Sequence, residues 1–305
     1  MFNRAMGFAP NGAYWRTLRR LGSNHLFNPK QIKRSEEQRR VIATQMVNVF
    51  ARNAETAFGV RDLLKTASLS NMMGLVFGKQ YELESNNNVE SECLKGLVEE
   101  GYDLLGTLNW TDHLPWLAGL DFQQVRFRCS QLVPKVNQLL SRIIHEHRAL
   151  TCSFLDVLQH SLHDSEKLSE SDMVAVLWEM IFRGTDTVAV LIEWVLARIV
   201  MHPKVQSTVH DELDRVVGRS KAGEAEFSVL GSDLRLAPFG SGKRVCPGKN
   251  LGLATVSFWV ATLLHEFEWL SSVNANPPDL SEVLRLSCEM ACPLVVNLRS
   301  RRKIA

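Results

Sequence analysis

Residues 238–248, Pro-Phe-Gly-Ser-Gly-Lys-Arg-Val-Cys-Pro-Gly, bring an aromatic ring, three glycines, a cation and a thiol together just before an apolar helical segment. A thiolate is both nucleophile and soft metal ligand, and it persists where its neighbours favour the charged form. The start of a helix does so, through free backbone amides and the positive end of the macrodipole. Gly240, Gly242 and Gly248 let the backbone turn sharply and pass close to a flat group. Arg244, two residues before Cys246, is in reach of an acidic rim on such a group. An isolated Gly-x-Arg-x-Cys fragment is more often a glycine-rich loop around a buried cysteine than a ligand loop, so both readings stand at this point.

Two further constellations carry chemistry. Gly184-Thr185-Asp186-Thr187 lies near the middle of a long apolar-periodic stretch, where small and hydroxyl residues weaken regular helix packing. Thr187 can bond back to the carbonyl four residues earlier or present its hydroxyl to a ligand, and Asp186 can move a proton. Trp15 and Arg19, four apart, project from one helix face. That pair is either an amphipathic helix with a surface arginine or a patch for an anionic group. Cys288 and Cys292, also four apart, fit core packing better than a metal site, which would lack partners.

All three segments resemble one family. Phe239, Gly242, Arg244, Cys246 and Gly248 match, position for position, the Phe-x-x-Gly-x-Arg-x-Cys-x-Gly signature of the cytochrome P450 haem-thiolate monooxygenases. Gly184 to Thr187 resembles that family's oxygen-binding motif, and Trp15 with Arg19 its Trp-x-x-x-Arg helix. The wording of Phe182 to Thr187 is similar to a plant subfamily associated with organ growth. The resemblance implies Cys246 as proximal iron ligand, Phe239 packed beside the sulfur, and Arg244, Trp15 and Arg19 at the haem propionates. It implies that Thr187 orients dioxygen, that Asp186 feeds protons and that Gly184 leaves room for oxygen and substrate. Met290 and Ala291 would fall on a loop that dips into the substrate pocket. The implied cofactor is haem, iron protoporphyrin IX, with NADPH acting indirectly through a reductase. Sulfur donation to iron suits oxygen–oxygen cleavage. The implied reaction inserts one oxygen atom from O2 into a small lipophilic substrate, at the cytosolic face of the endoplasmic reticulum membrane.

The elements that must position these residues are mostly helices. Apolar residues recur at three and four residue spacing over 13–26, 36–57, 63–77, 91–105, 122–148, 172–201 and 204–217. Residues 84–89, with three consecutive asparagines, read as a polar loop. Ser169 to Asp172 forms a capping pattern, and His202-Pro203 stops the long helix. Residues 251–264 are nearly all apolar or small, as in a buried helix. Residues 293–298 are β-prone and precede a basic tail of Arg299, Arg301, Arg302 and Lys303, expected to be a solvated end. The expected fold is mainly α: a partial cytochrome P450 fold with a long central helix, a buried haem-loop helix and a small C-terminal β element, in one truncated domain over 1–305.

The truncation has two parts. The chain starts just before the Trp15 helix, whereas the family begins with a membrane anchor, a hinge and further elements; if that absence is real, the expected location becomes cytoplasmic. Only 29 positions separate Val217 from Cys246. The family places there a Glu-x-x-Arg helix, most of its sheet and a Pro-Glu-Arg-Phe-like turn. An internal deletion near residues 221–224 accounts for the shortfall. Glu36 to Arg39, Glu212 to Arg215 and Glu282 to Arg285 have the same spelling, but that spacing is ordinary for surface ion pairs, and all three are read as decoys. The alternative function is therefore a catalytically inactive haem-binding remnant, a splice product or an unstable helical fragment.

Composition excludes little else. Lys plus Arg number 35 against 33 Asp plus Glu, so no global field favours nucleic acid. The six cysteines form no CxxC pair, which argues against a disulfide framework. Glu179, Arg183, Asp186, Glu193 and Arg198 interrupt the longest apolar stretch, so no transmembrane segment is expected in this chain.

Overall fold

The computed structural model describes residues 4–54, 56–83, 89–114, 116, 119–146, 153–160, 168–216, 237–272 and 277–301. The expected deletion near 221–224, the asparagine loop at 84–88, Cys152, Arg302 and Lys303 lie outside the described residues. In chain order the elements are α1 (Ala13–His25), α2 (Pro29–Arg34), α3 (Glu36–Arg52), β1 (Phe58–Gly59), α4 (Arg61–Phe77), α5 (Val89–Gly106), α6 (Trp110–His113), α7 (Val125–Glu146) and α8 (Phe154–His160). They continue with α9 (Glu170–Met201), α10 (Pro203–Val216), a 3-10 turn (Gly242–Arg244), α11 (Lys249–Glu266), β2 (Phe267–Ser271), β3 (Glu282–Leu284), β4 (Cys288–Met290) and β5 (Val295–Ser300). The chain forms two compact units: Met1–Pro10, Lys65–Val190 and Leu280–Cys292 make the first, and Asn11–Leu64, Leu191–Asp279 and Pro293–Ala305 the second.

In the first unit, α5 packs against α7. Tyr102, Phe182 and Trp178 form a run of rings with centroids 4.4 and 5.9 Å apart, all buried. Burying each such side chain contributes roughly 1.5–3 kcal/mol. Ser169 caps α9, its hydroxyl accepting from the Asp172 amide at 3.2 Å. At 32 residues α9 is the longest described helix, about 48 Å at 1.5 Å per residue. β3 and β4 pair as an antiparallel hairpin. The C-terminal turn of α5 meets this hairpin closely enough that a Cβ at Gly106 would lie 2.6 Å from the Leu286 amide nitrogen.

The second unit holds a three-stranded antiparallel sheet in the order β1-β5-β2. Phe50 of α3 sits edge-on to Phe58, Phe267 and Trp269, which joins that helix to the sheet. α11 packs against α2, α3, α10 and β2, burying Leu251, Thr255, Trp259 and Leu263, a stripe at four-residue spacing. Trp259 donates from Nε1 to the Arg39 carbonyl at 3.1 Å. Gln206 of α10 bonds both backbone groups of Trp269, at 3.0 and 2.7 Å, and so stitches the helix to β2. Glu193 is buried, holds the Arg61 guanidinium at 2.8 Å and accepts from the Leu294 amide at 2.9 Å.

Several expectations change. α3 ends at Arg52 rather than 57, where the Asn53 side chain bonds back to the Val49 carbonyl. Arg39 is not a surface residue: it is 4% exposed and donates to Ser35 Oγ and the Ile32 carbonyl, while Glu36 pairs with Arg40 instead. Glu282 to Arg285 lies on the β3 side of the hairpin, not on a helix. Nor are Arg299 and Arg301 a loose tail. Arg299 is in β5 and pairs with Glu268, and Arg301 donates to Asp214 and to the His265 carbonyl at the end of α11. No described helix is long and apolar enough to cross a membrane.

Candidate functional site

Within the second unit, residues 238–248 fold as a tight loop leading into α11. Gly240 and Gly242 have φ of 67° and 69°, a region that side-chain-bearing residues rarely occupy. These two turns fold the chain back so that the Cys246 amide donates to the Phe239 carbonyl at 2.9 Å and the Val245 amide to the Gly242 carbonyl at 3.2 Å. Phe239 and Cys246 are therefore neighbours through the backbone, and both are half-buried. Cys246 is a free thiol three residues before Lys249, the first residue of α11. Gly248 caps that helix without a side-chain hydrogen bond, so no capping group competes with an anion at its start. A Cβ on Gly248 would come within 3.3 Å of the Phe27 ring.

α1 meets the same loop. Arg19 donates from Nη2 to the Val245 carbonyl at 2.8 Å, one residue before the thiol. Trp15, one turn earlier and 5% exposed, meets two cations: the Arg244 guanidinium is 5.1 Å from its ring centroid and that of Arg19 5.9 Å. Cation–π attraction to tryptophan, about 0.5–1 kcal/mol at exposed sites, helps hold like charges side by side. Gly242 and Arg244 are exposed. The structure thus brings together Trp15, Arg19, Phe239, Gly242, Arg244, Cys246 and Gly248 in one unit. A soft thiol on a loop that carries one arginine and is bonded through its backbone by another is a donor set suited to a flat iron macrocycle bearing two carboxylates.

Gly184, Asp186 and Thr187 belong to the first unit. Thr187 is exposed and its hydroxyl donates to the Arg183 carbonyl at 2.9 Å; Thr185 does the same to Ile181 at 2.7 Å. Of the two readings open for Thr187, this is the back-bonded one. A Cβ at Gly184 would meet the Met72 sulfur at 2.5 Å, so the space left by this glycine is filled by a thioether. Asp186 is 2% exposed, lies 3.5 Å from Lys65 Nζ and accepts from Ser287 Oγ at 3.1 Å. Neither Lys65 nor Ser287 was visible to sequence reasoning, because no fixed spacing links them to Asp186. Met290 is buried in β4, and Ala291 is exposed just after it. Cys288 and Cys292 are both exposed, so the expected core packing of this pair does not occur.

The chain is similar to known proteins along nearly its whole length. A family profile described as Cytochrome P450 matches residues 1–230 and 226–288. Cytochrome P450 78A9 of Arabidopsis thaliana is 53% identical, the alignment taking in 100% of this chain and 73% of that protein. Cytochrome P450 78A3 of Glycine max is 49% identical over 99% of this chain and 73% of its own length. A zebrafish cytochrome P450 solved with abiraterone superposes with a TM-score of 0.75, covering 98% of this chain and 85% of that one; at 17% identity this is a likeness of fold alone. The profile match falls into two runs meeting at 226–230. The alignment to the first Arabidopsis protein spans 392 positions against 305 residues here, so at least 87 positions hold no residue of this chain.

Proposed function

This chain belongs to the cytochrome P450 family of haem-dependent monooxygenases, and from that premise we propose that it binds haem through Cys246 and inserts one oxygen atom from O2 into a small lipophilic substrate. The observation that carries this reading is the pairing of Arg19 and Arg244 on Trp15 beside the loop that presents the thiol. Bound haem supplies the oxygen activation, and a thiolate ligand favours cleavage of the oxygen–oxygen bond. Cys246, on the loop that leads into α11, would hold the iron as a thiolate. Arg19 and Arg244 offer planar forks of donors to the two carboxylates, a geometry that lysine could not match. Gly240 and Gly242, with no side chains, would let the loop backbone pass close to the group.

The Thr187 hydroxyl would serve in proton delivery to oxygen only by giving up its hydrogen bond to the Arg183 carbonyl, at a cost of about 1 kcal/mol. Asp186 supplies the protons. Electrons come from an NADPH-dependent reductase, and the site of action is the cytosolic face of the endoplasmic reticulum membrane.

A second reading, a non-catalytic haem-binding remnant or splice product, is favoured by the break in the family match at 226–230. One experiment separates the two. The reduced carbon monoxide difference spectrum reports thiolate ligation, and product formation with reductase and NADPH reports turnover. Spectrum with turnover supports the first reading, spectrum without turnover the second, and the absence of a thiolate signal rejects both.

A further inference from the structure

Asp186 is enclosed by three elements of the first unit, and its surroundings are graded toward solvent. Lys65 of α4 stands between two carboxylates, 3.5 Å from Asp186 and 3.4 Å from Glu99 Oε1 of α5. Side-chain exposure falls from 57% at Glu99 to 15% at Lys65 and 3% at Asp186. Ser287, in the turn between β3 and β4, holds the other carboxylate oxygen of Asp186. A buried carboxylate needs a partner to stay ionised, and Lys65 is that partner. A lysine placed only for this would not also have to reach a wet carboxylate.

We propose that Glu99, Lys65 and Asp186 form a proton inlet, with Lys65 as the positioning residue that refills Asp186 from solvent after each proton it gives. This rests on the reading of Asp186 as proton source above. When Asp186 has delivered its proton, its Oδ1 is negative and faces the Lys65 ammonium. One N–H bond of Lys65 breaks as an O–H bond forms on Asp186, which turns a buried ion pair into a neutral pair. The neutral amine then takes a proton from the Glu99 carboxyl, and Glu99 recovers it from bulk water. No electron moves, and one proton has passed from solvent to Asp186. Ser287 keeps Oδ2 occupied, leaving Oδ1 as the receiving atom.

Tyr102 on α5 feels the charges of Asp186 and Arg183 on α9 and of Glu289 on β4. Burial, and after it the charge of Asp186, pushes the Tyr102 hydroxyl far up, so it stays protonated and does not compete as a donor.

The test uses the full chain and the variants Lys65→Met, Lys65→Arg, Glu99→Gln and Asp186→Asn. A double-mutant cycle on the thermal midpoint, which needs no haem, asks first whether Lys65 and Asp186 interact. The expected result is that Lys65→Met and Asp186→Asn together lower the midpoint by clearly less than the sum of their separate losses; strict additivity overturns the proposal. In the haem-loaded chain, Lys65→Met is expected to slow product formation by about tenfold or more at unchanged KM. It should also raise both peroxide release per NADPH and the solvent isotope effect. Lys65→Arg should restore most of the rate, and Glu99→Gln should raise the isotope effect alone. If Asp186→Asn uncouples the reaction but Lys65→Met does not, the inlet is wrong while the role of Asp186 stands. If Asp186→Asn leaves coupling unchanged, the underlying reading fails and the inlet with it.

Discussion

Cys246 differs from its fellow cysteines in the backbone around it. Burial pushes the Cys129 thiol up, and slight desolvation with the hydrogen bond and charge of the Glu282 carboxylate does the same at the exposed Cys288, so both favour the neutral form. Cys246 instead follows two left-handed glycines and precedes a helix start. Cys246→Ala should therefore abolish a thiolate-type spectrum, whereas Cys288→Ala and Cys292→Ala should leave it intact, as absorbance of the reduced carbon monoxide complex would show. Gly184 makes a second residue-scale case. Gly184→Ala forces a methyl against Met72 and should cost about 1–3 kcal/mol in denaturant unfolding, as overpacked cores do, with much of the loss recovered when Met72→Ala is added. The ligand loop was legible because its chemistry is packed into eleven consecutive residues. Lys65 and Ser287 were not, because they reach Asp186 only through tertiary structure, Ser287 from 101 positions away.

At the scale of elements, the long helices were readable to within a few residues, since each carries an apolar stripe over several turns. α2 and α8, of six and seven residues, are too short for periodicity to show, and β2 is a five-residue continuation of an apolar helix. Local spacing also misled: Glu36 to Arg39 reads as an exposed pair, yet burial against α11 takes Arg39 inside. The junction of α5 and α7 gives a pH prediction. Burial alone would raise the Glu90 carboxyl, but hydrogen bonds from Lys79 and Tyr81 and the charges of Lys79 and Arg142 outweigh it and hold the group below its ordinary 4.5. A depressed carboxyl contributes stability that is present above its unfolded value and lost as pH falls through the folded one. The thermal midpoint should thus drop as pH is lowered from about 5 toward 3, and Glu90→Gln should flatten that drop while lowering stability at neutral pH. A parallel pH profile for Glu90→Gln and the unsubstituted chain would exclude this network as a source of acid sensitivity.

At the scale of the molecule, the family and its mainly helical architecture were legible from three short motifs in the right order. The division into two compact units was not, because α4 and α9 each supply residues to both, and no composition shift marks the boundary. The family match breaks at 226–230, just upstream of the ligand loop. A ligand held by a loop depends on the packing behind it, and loss of such support typically costs 10–100-fold in affinity or activity. Restoring the internal stretch found in the relatives should accordingly raise haem per protein and turnover well above those of the 305-residue chain. The most direct test of the central claim is the reduced carbon monoxide difference spectrum of this chain, reconstituted with haem, beside that of Cys246→Ala. Thiolate ligation by Cys246 predicts the characteristic thiolate band in the first and its loss in the second. The same band in both, or none in either, would contradict it.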